Sequence, residues 1–61
     1  MAAKFEIYKD KSGEYRWKLV HTNGQVIANS GEGYKAKDSA MNGIKSVKGN
    51  APAAAVEDET A

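Results

Sequence analysis

The side chains suited to proton transfer or covalent chemistry are few and scattered. His21 is the sole histidine and there is no cysteine, so the sequence offers neither a thiol nucleophile nor a Cys/His set for zinc. The carboxylates do not cluster until Glu57, Asp58 and Glu59 near the C-terminal end. His21 precedes the turn pair Asn23-Gly24 and reads as a partly exposed edge residue rather than a catalytic base. Glu32 reads as a turn residue accepting backbone hydrogen bonds, and Tyr34 as packing where sheet meets helix. An enzyme would need His21, Glu32 and Tyr34 to converge on one pocket. The glycines of Ser30-Gly31-Glu32-Gly33 lack the lysine and hydroxyl of a phosphate-cradling loop and read as a change of chain direction. The expectation is no enzyme, no metal and no cofactor.

Binding chemistry is better represented. Tyr8, Arg16 and Lys18 fall on one face of the expected sheet, where an aromatic and two cations could stack on bases and pair with phosphates. These three are the candidate residues for a macromolecular partner, with weak nucleic-acid binding as the alternative function. The competing account is that Arg16 and Lys18 solvate an exposed face while Glu6 neutralises one of them. Val20 and Ile27 are expected side by side on that face, as a small apolar patch for a protein partner or the dimer contact. Residues 1–50 hold 9 basic and 5 acidic side chains, a net +4, and residues 51–61 hold 3 acidic and none basic, a net −3. A body of that charge falls well short of a dedicated nucleic-acid binder.

The elements that must position these groups occupy the first half of the chain. Residues 4–9, 14–22 and 25–30 alternate apolar and polar with period 2, as half-buried strands do. Asn23-Gly24 predicts a two-residue type I′ hairpin, which sets His21 opposite Val26, Val20 opposite Ile27 and Leu19 opposite Ala28. Asp10 to Glu14 predicts a three-residue loop with Gly13 in the left-handed position. In that register Ile7 faces Trp17, Phe5 faces Leu19, Glu6 faces Lys18 and Tyr8 faces Arg16, and the last two pairs are favourable cross-strand neighbours. One face then carries Phe5, Ile7, Tyr15, Trp17, Leu19, Val26 and Ala28 as core, and the other is mixed.

The period changes to helical over about 36–48, with Ala40, Met41, Ile44 and Val47 on one stripe. Asp38 near the start and Lys45 and Lys48 near the end suit the helix dipole, and Gly49 suits the position just past the end. Gly43, costly inside a helix by about 1 kcal/mol, implies close approach to Trp17 or the sheet backbone. Met1 to Ala3 reads as a leader, and the composition of residues 50–61 as a tail. Sixty-one residues seldom enclose a sufficient core without a disulfide or metal, so a second copy of the chain is the expected source of further buried surface. With no cysteine and no apolar run long enough for a membrane helix, the expectation is a cytoplasmic protein that avoids membranes.

The stretches Lys4-Phe5-Glu6-Ile7-Tyr8-Lys9-Asp10, Gly13-Glu14-Tyr15-Arg16-Trp17-Lys18-Leu19, Asn23-Gly24-Gln25-Val26-Ile27-Ala28 and Ser30-Gly31-Glu32-Gly33-Tyr34 closely resemble the YegP-like proteins, small bacterial proteins of uncharacterised function. Asn42-Gly43-Ile44-Lys45-Ser46-Val47-Lys48 and Asn50-Ala51-Pro52 match as well. The resemblance implies an α+β unit: a three-stranded antiparallel meander, one helix and a C-terminal strand, present twice in a chain or once per subunit of a homodimer. It further implies that two units form one continuous sheet with C-terminal strands exchanged, which would make residues 53–57 the exchanged strand. Relatives often carry serine, a better N-cap, where this chain has Ala36. No catalytic residues come with the resemblance. The function expected is a non-enzymatic homodimeric interaction module.

Overall fold

The computed structural model describes residues 3–60; Met1 and Ala2 of the expected leader and Ala61 of the tail lie outside the described residues. The chain forms β1 (Lys4–Lys9), β2 (Tyr15–Val20), β3 (Val26–Asn29), α1 (Lys37–Asn50) and a 3-10 turn (Ala51–Ala53). The strands make one antiparallel sheet in the order β1-β2-β3, the α+β meander and helix that the alternation predicts.

The first hairpin follows its predicted register throughout: Phe5 pairs with Leu19, Glu6 with Lys18, Ile7 with Trp17 and Tyr8 with Arg16. Its turn explains why. Asp10 N–H donates to Glu14 O (2.9 Å) and Gly13 N–H to Asp10 O (3.0 Å), with Gly13 at φ 85°, a left-handed position that a side chain would strain.

The second hairpin departs from expectation. A type I′ turn requires positive φ at Asn23, yet only glycines have positive φ among the described residues. Instead Gly24 N–H donates to His21 O (2.9 Å), His21 N–H to Gln25 O (2.8 Å), and Gly24 alone is left-handed at φ 91°. This is the same three-residue loop as the first hairpin. It lengthens the turn by one residue, so β2 ends at Val20, and a bulge absorbs the slip: Val20 pairs with Val26, while Leu19 still pairs with Ala28 and Lys18 with Asn29. Asn23 serves the loop through its side chain, Oδ1 accepting from Gln25 N–H at 2.9 Å. The expected Val20–Ile27 and His21–Val26 pairings are therefore replaced, and Val26 leaves the core face.

Beyond β3, Ser30 N–H still donates to Trp17 O (2.9 Å). Gly31 to Gly33 then loop outward, and Tyr34 rejoins the sheet through reciprocal 2.7 Å hydrogen bonds with Tyr15. This return brings α1 across the core face. Trp17, Ala40 and Ile44 form the buried cluster, and Phe5, Ile7, Tyr15, Tyr34 and Val47 pack around it. Phe5 meets Trp17 edge to face, ring centres 5.5 Å apart, a favourable aromatic geometry. Met41, expected in the core stripe, is instead 41% exposed. It lies about 100° around the helix from Ala40, off the stripe of Ala40 and Ile44 that packs on Trp17.

Gly43 packs closely over the side chains of Tyr34 and Trp17. A Cβ there would lie 2.8 Å from Tyr34 Oη and 3.1 Å from Trp17 Nε1, as the glycine's cost inside a helix implies. Gly43→Val is therefore expected to lower stability by about 2 kcal/mol in urea unfolding, overpacking outweighing any gain in helix propensity. At the helix start, the Ala36 N-cap makes no side-chain hydrogen bond. Ala36→Ser should raise stability by roughly 0.5–1 kcal/mol in the same measurement. At its other end the helix runs to Asn50, with Gly49 inside it rather than past it. Asn50 sustains that last turn by donating Nδ2–H to Ser46 O at 2.8 Å.

Residues 54–60 continue as irregular chain that joins no strand among the described residues, and all are exposed. Ala53, expected to open a strand after Pro52, instead closes the 3-10 turn Ala51–Ala53, in which Pro52 holds the second position.

Candidate interaction face

The sheet face opposite the helix carries the three candidate binding residues. Side chains alternate along a strand, so Glu6 and Tyr8 of β1 and Arg16 and Lys18 of β2 share this face. The three are brought together, but their charges are already engaged. Arg16 Nε sits 2.6 Å from Asp10 Oδ2. Lys18 Nζ lies 3.7 Å from Glu6 and 5.5 Å from the centre of the Tyr8 ring. The cation beside Tyr8 is thus Lys18 on the diagonal, rather than its direct partner Arg16.

Asp10 organises the edge of this face. Besides Arg16, it accepts from Ser12 Oγ (2.7 Å), Ser12 N (2.9 Å) and Glu14 N (3.0 Å) through Oδ1. Arg16 foremost, then the Ser12 hydroxyl and the Glu14 amide, hold its carboxyl far below the ordinary carboxylate range. The same pairing raises the Arg16 guanidinium. A carboxyl depressed by folding contributes stability that is complete above its unfolded pKa of about 3.9 and declines as pH falls below it. Asp10→Asn retains acceptors for Ser12 and Glu14 but removes the charge. Stability measured from pH 7 down to pH 2 should therefore fall less steeply below about pH 4 in the variant than in the parent.

At the β2–β3 end, the same face opens into a cleft of about 360 Å³ bounded by Lys4, Glu6, Lys18, Val20, His21 and Val26. Val20 is buried at its base, although sequence reasoning placed it in an exposed patch, and Val26 is 54% exposed beside it. Sequence reasoning missed this cleft because it depends on the bulge that sets Val26 across from Val20. Lys4 Nζ pairs with Glu6 at 3.1 Å across the opening. His21 accepts the Asn23 N–H at Nδ1 (3.2 Å).

The residues considered for catalysis do not converge. His21 follows the end of β2 while Tyr34 is bridged to Tyr15 at its start, about 20 Å along an extended strand. Glu32 stands in the outward loop, with its backbone oxygen accepting from Ser30 Oγ at 2.8 Å. No group of three or more His, Cys, Asp or Glu among the described residues could hold a metal ion. Nor is any helix among them long and apolar enough to cross a membrane.

Comparison with known proteins follows this architecture closely. Residues 10–58 match the family described as "Domain of unknown function (DUF1508)". The chain belongs to this family. It is the family of the YegP-like proteins, so the resemblance carried by the strand and turn motifs holds. A UPF0339 protein of Treponema denticola is 57% identical over 56 residues, 92% of this chain and 95% of that protein. A UPF0339 protein of Stutzerimonas stutzeri is 56% identical over 52 residues, which are 85% of this chain and only 46% of that protein. Among solved structures, the solution structure of a protein from Haloferax volcanii is 53% identical, with a TM-score of 0.89 over 93% of this chain and 95% of that one. These family relatives carry no assigned activity in their names.

Proposed function

We propose that the protein is a non-enzymatic homodimeric interaction module. Two copies join their sheets, each lending residues 53–57 to the other, and the combined mixed faces, with Tyr8, Arg16 and Lys18, bind another macromolecule in the cytoplasm. The observation that carries this reading is Val56. It is 95% exposed in an irregular segment that joins no strand among the described residues, while among those residues only Trp17, Val20, Ala40 and Ile44 are buried apolar side chains. A core that small gains most from further apolar burial, and the outer edges of β1 and β3 offer unpaired backbone for strand addition. The Stutzerimonas stutzeri relative supports the same arrangement, since a matched unit filling 46% of that protein leaves room for a second.

Sedimentation equilibrium at micromolar concentration tests the pairing. The expected mass is twice the 6.5 kDa of one chain; a single-chain mass there and at hundredfold higher concentration would exclude the module as described.

A further inference from the structure

We infer that the cleft on the open sheet face is a binding site for a small monocarboxylic acid with an apolar body, its carboxylate met by Lys4, Lys18 and His21 and its hydrocarbon resting on Val20 and Val26. Such a site goes beyond the interaction module and needs no pairing of chains. The cleft holds about 360 Å³, at the lower end of the range that small-molecule sites occupy. Its walls combine what such a site requires, an apolar floor with a few converging polar groups. Val20 is buried at the floor and Val26 is half exposed beside it, set there by the bulge that pairs the two. Lys4, Lys18, His21 and Thr22 stand around them.

The charge of the rim selects the ligand. Glu6 is the sole carboxylate among the lining residues, and its two oxygens lie 3.1 Å from Lys4 Nζ and 3.7 Å from Lys18 Nζ. Two ammonium groups therefore share one carboxylate, and a single positive charge is left over. That charge balances a monoanion, whereas a dianion would set surplus negative charge against Glu6. Each ammonium has three donors, and neither lysine side chain is buried, at 70% and 38% exposure, so both keep N–H groups for a ligand. His21 adds a neutral donor: Nδ1 accepts the Asn23 N–H at 3.2 Å, which in the neutral ring leaves the proton on Nε2.

The valine floor decides the rest of the ligand. An anion without a hydrocarbon body would leave the valines wet, and a neutral hydrocarbon would leave the rim donors unanswered. Strand addition at the outer edges of β1 and β3 runs in the plane of the sheet, while the cleft opens off its face, so an occupied edge leaves the cleft reachable.

Titration of the full chain with cyclohexanecarboxylate tests the site, followed by methyl and amide shifts in heteronuclear NMR spectra at neutral pH and low salt. Saturable shifts are expected at the Val20 and Val26 methyls and the Thr22 and Gly24 amides, with a dissociation constant of about 1 mM or tighter. Acetate, which has the charge without the body, and cyclohexylmethanol, which has the body without the charge, should each bind about tenfold more weakly or worse. Glu6→Gln frees both ammonium groups and should tighten binding about threefold or more. Lys18→Gln and Val26→Ser should each weaken it by about threefold or more. None of these three residues is buried, and retained amide dispersion verifies each fold. Absence of saturable shifts at the cleft up to about 20 mM cyclohexanecarboxylate overturns the site. Equal affinity for acetate or for cyclohexylmethanol overturns the ligand class, and binding unchanged or weakened by Glu6→Gln overturns the lysines as partners of the carboxylate.

Discussion

Replacing Trp17 by alanine is expected to leave the chain largely unfolded at 25 °C. Trp17 is 5% exposed and is the largest side chain of the buried cluster, touching helix and sheet at once. Truncating a buried tryptophan costs about 3–5 kcal/mol through lost transfer energy and the cavity left behind. A domain of this size rarely holds more than roughly 3–5 kcal/mol, so the loss consumes its stability. Far-UV circular dichroism and amide dispersion in a proton NMR spectrum read the outcome directly. Trp17→Phe provides the contrast. The buried indole Nε1 donates to no described protein atom, so phenylalanine forfeits size without orphaning an acceptor. That variant should fold, with a urea midpoint below the parent's. A folded Trp17→Ala chain would show that the core lies elsewhere.

The second large effect is expected on ending the chain after Pro52. On the dimer reading, this removes the segment that each copy gives its partner and leaves the intrachain core of Trp17, Ala40 and Ile44 untouched. The truncated chain should sediment as a monomer at concentrations where the full chain is paired. Its melting temperature should also cease to depend on concentration. Association at a hundredfold over the dissociation constant adds about 2.7 kcal/mol, so the midpoint should drop by roughly 10–20 °C at matched concentration. An unchanged midpoint would mean that residues 53–61 contribute nothing to stability, as expected of a free tail.

Much of the fold was legible in the alternation of strands and in Gly13. The Phe5-to-Tyr8 register followed from a loop whose geometry a single glycine decides, and the pairs Glu6–Lys18 and Tyr8–Arg16 followed with it. The second hairpin was less legible, because Asn23-Gly24 suits both a two-residue and a three-residue loop. The backbone chose the latter, with Gly24 alone left-handed and a bulge to restore the Leu19–Ala28 pair. That one-residue difference moved Val26 beside Val20 and created the cleft, which no periodicity argument could have located. Gly43 was readable as a close approach since its helix cost needs a reason. Met41 was misassigned to the core, because a stripe three residues wide is broader than the contact one helix makes with a narrow sheet. The helix end was also misjudged: Gly49 is permitted past a C-terminus but does not compel one when Asn50 caps Ser46. As for the candidate residues, Tyr8, Arg16 and Lys18 do share a face, but the Asp10 pairing that occupies Arg16 crosses a turn and was invisible to a strand-by-strand reading.

The central claim is that residues 53–57 belong to the partner's half of the assembly. The most direct measurement is an isotope-filtered NOE spectrum on an equimolar mixture of labelled and unlabelled full-length chains, in which only contacts between different chains survive. The prediction is a set of cross-chain contacts from the backbone and side chains of residues 53–57, Val56 methyls foremost, to the sheet of the other copy. Absence of such contacts, with Val56 at random-coil shifts in a well-folded sample, would contradict it.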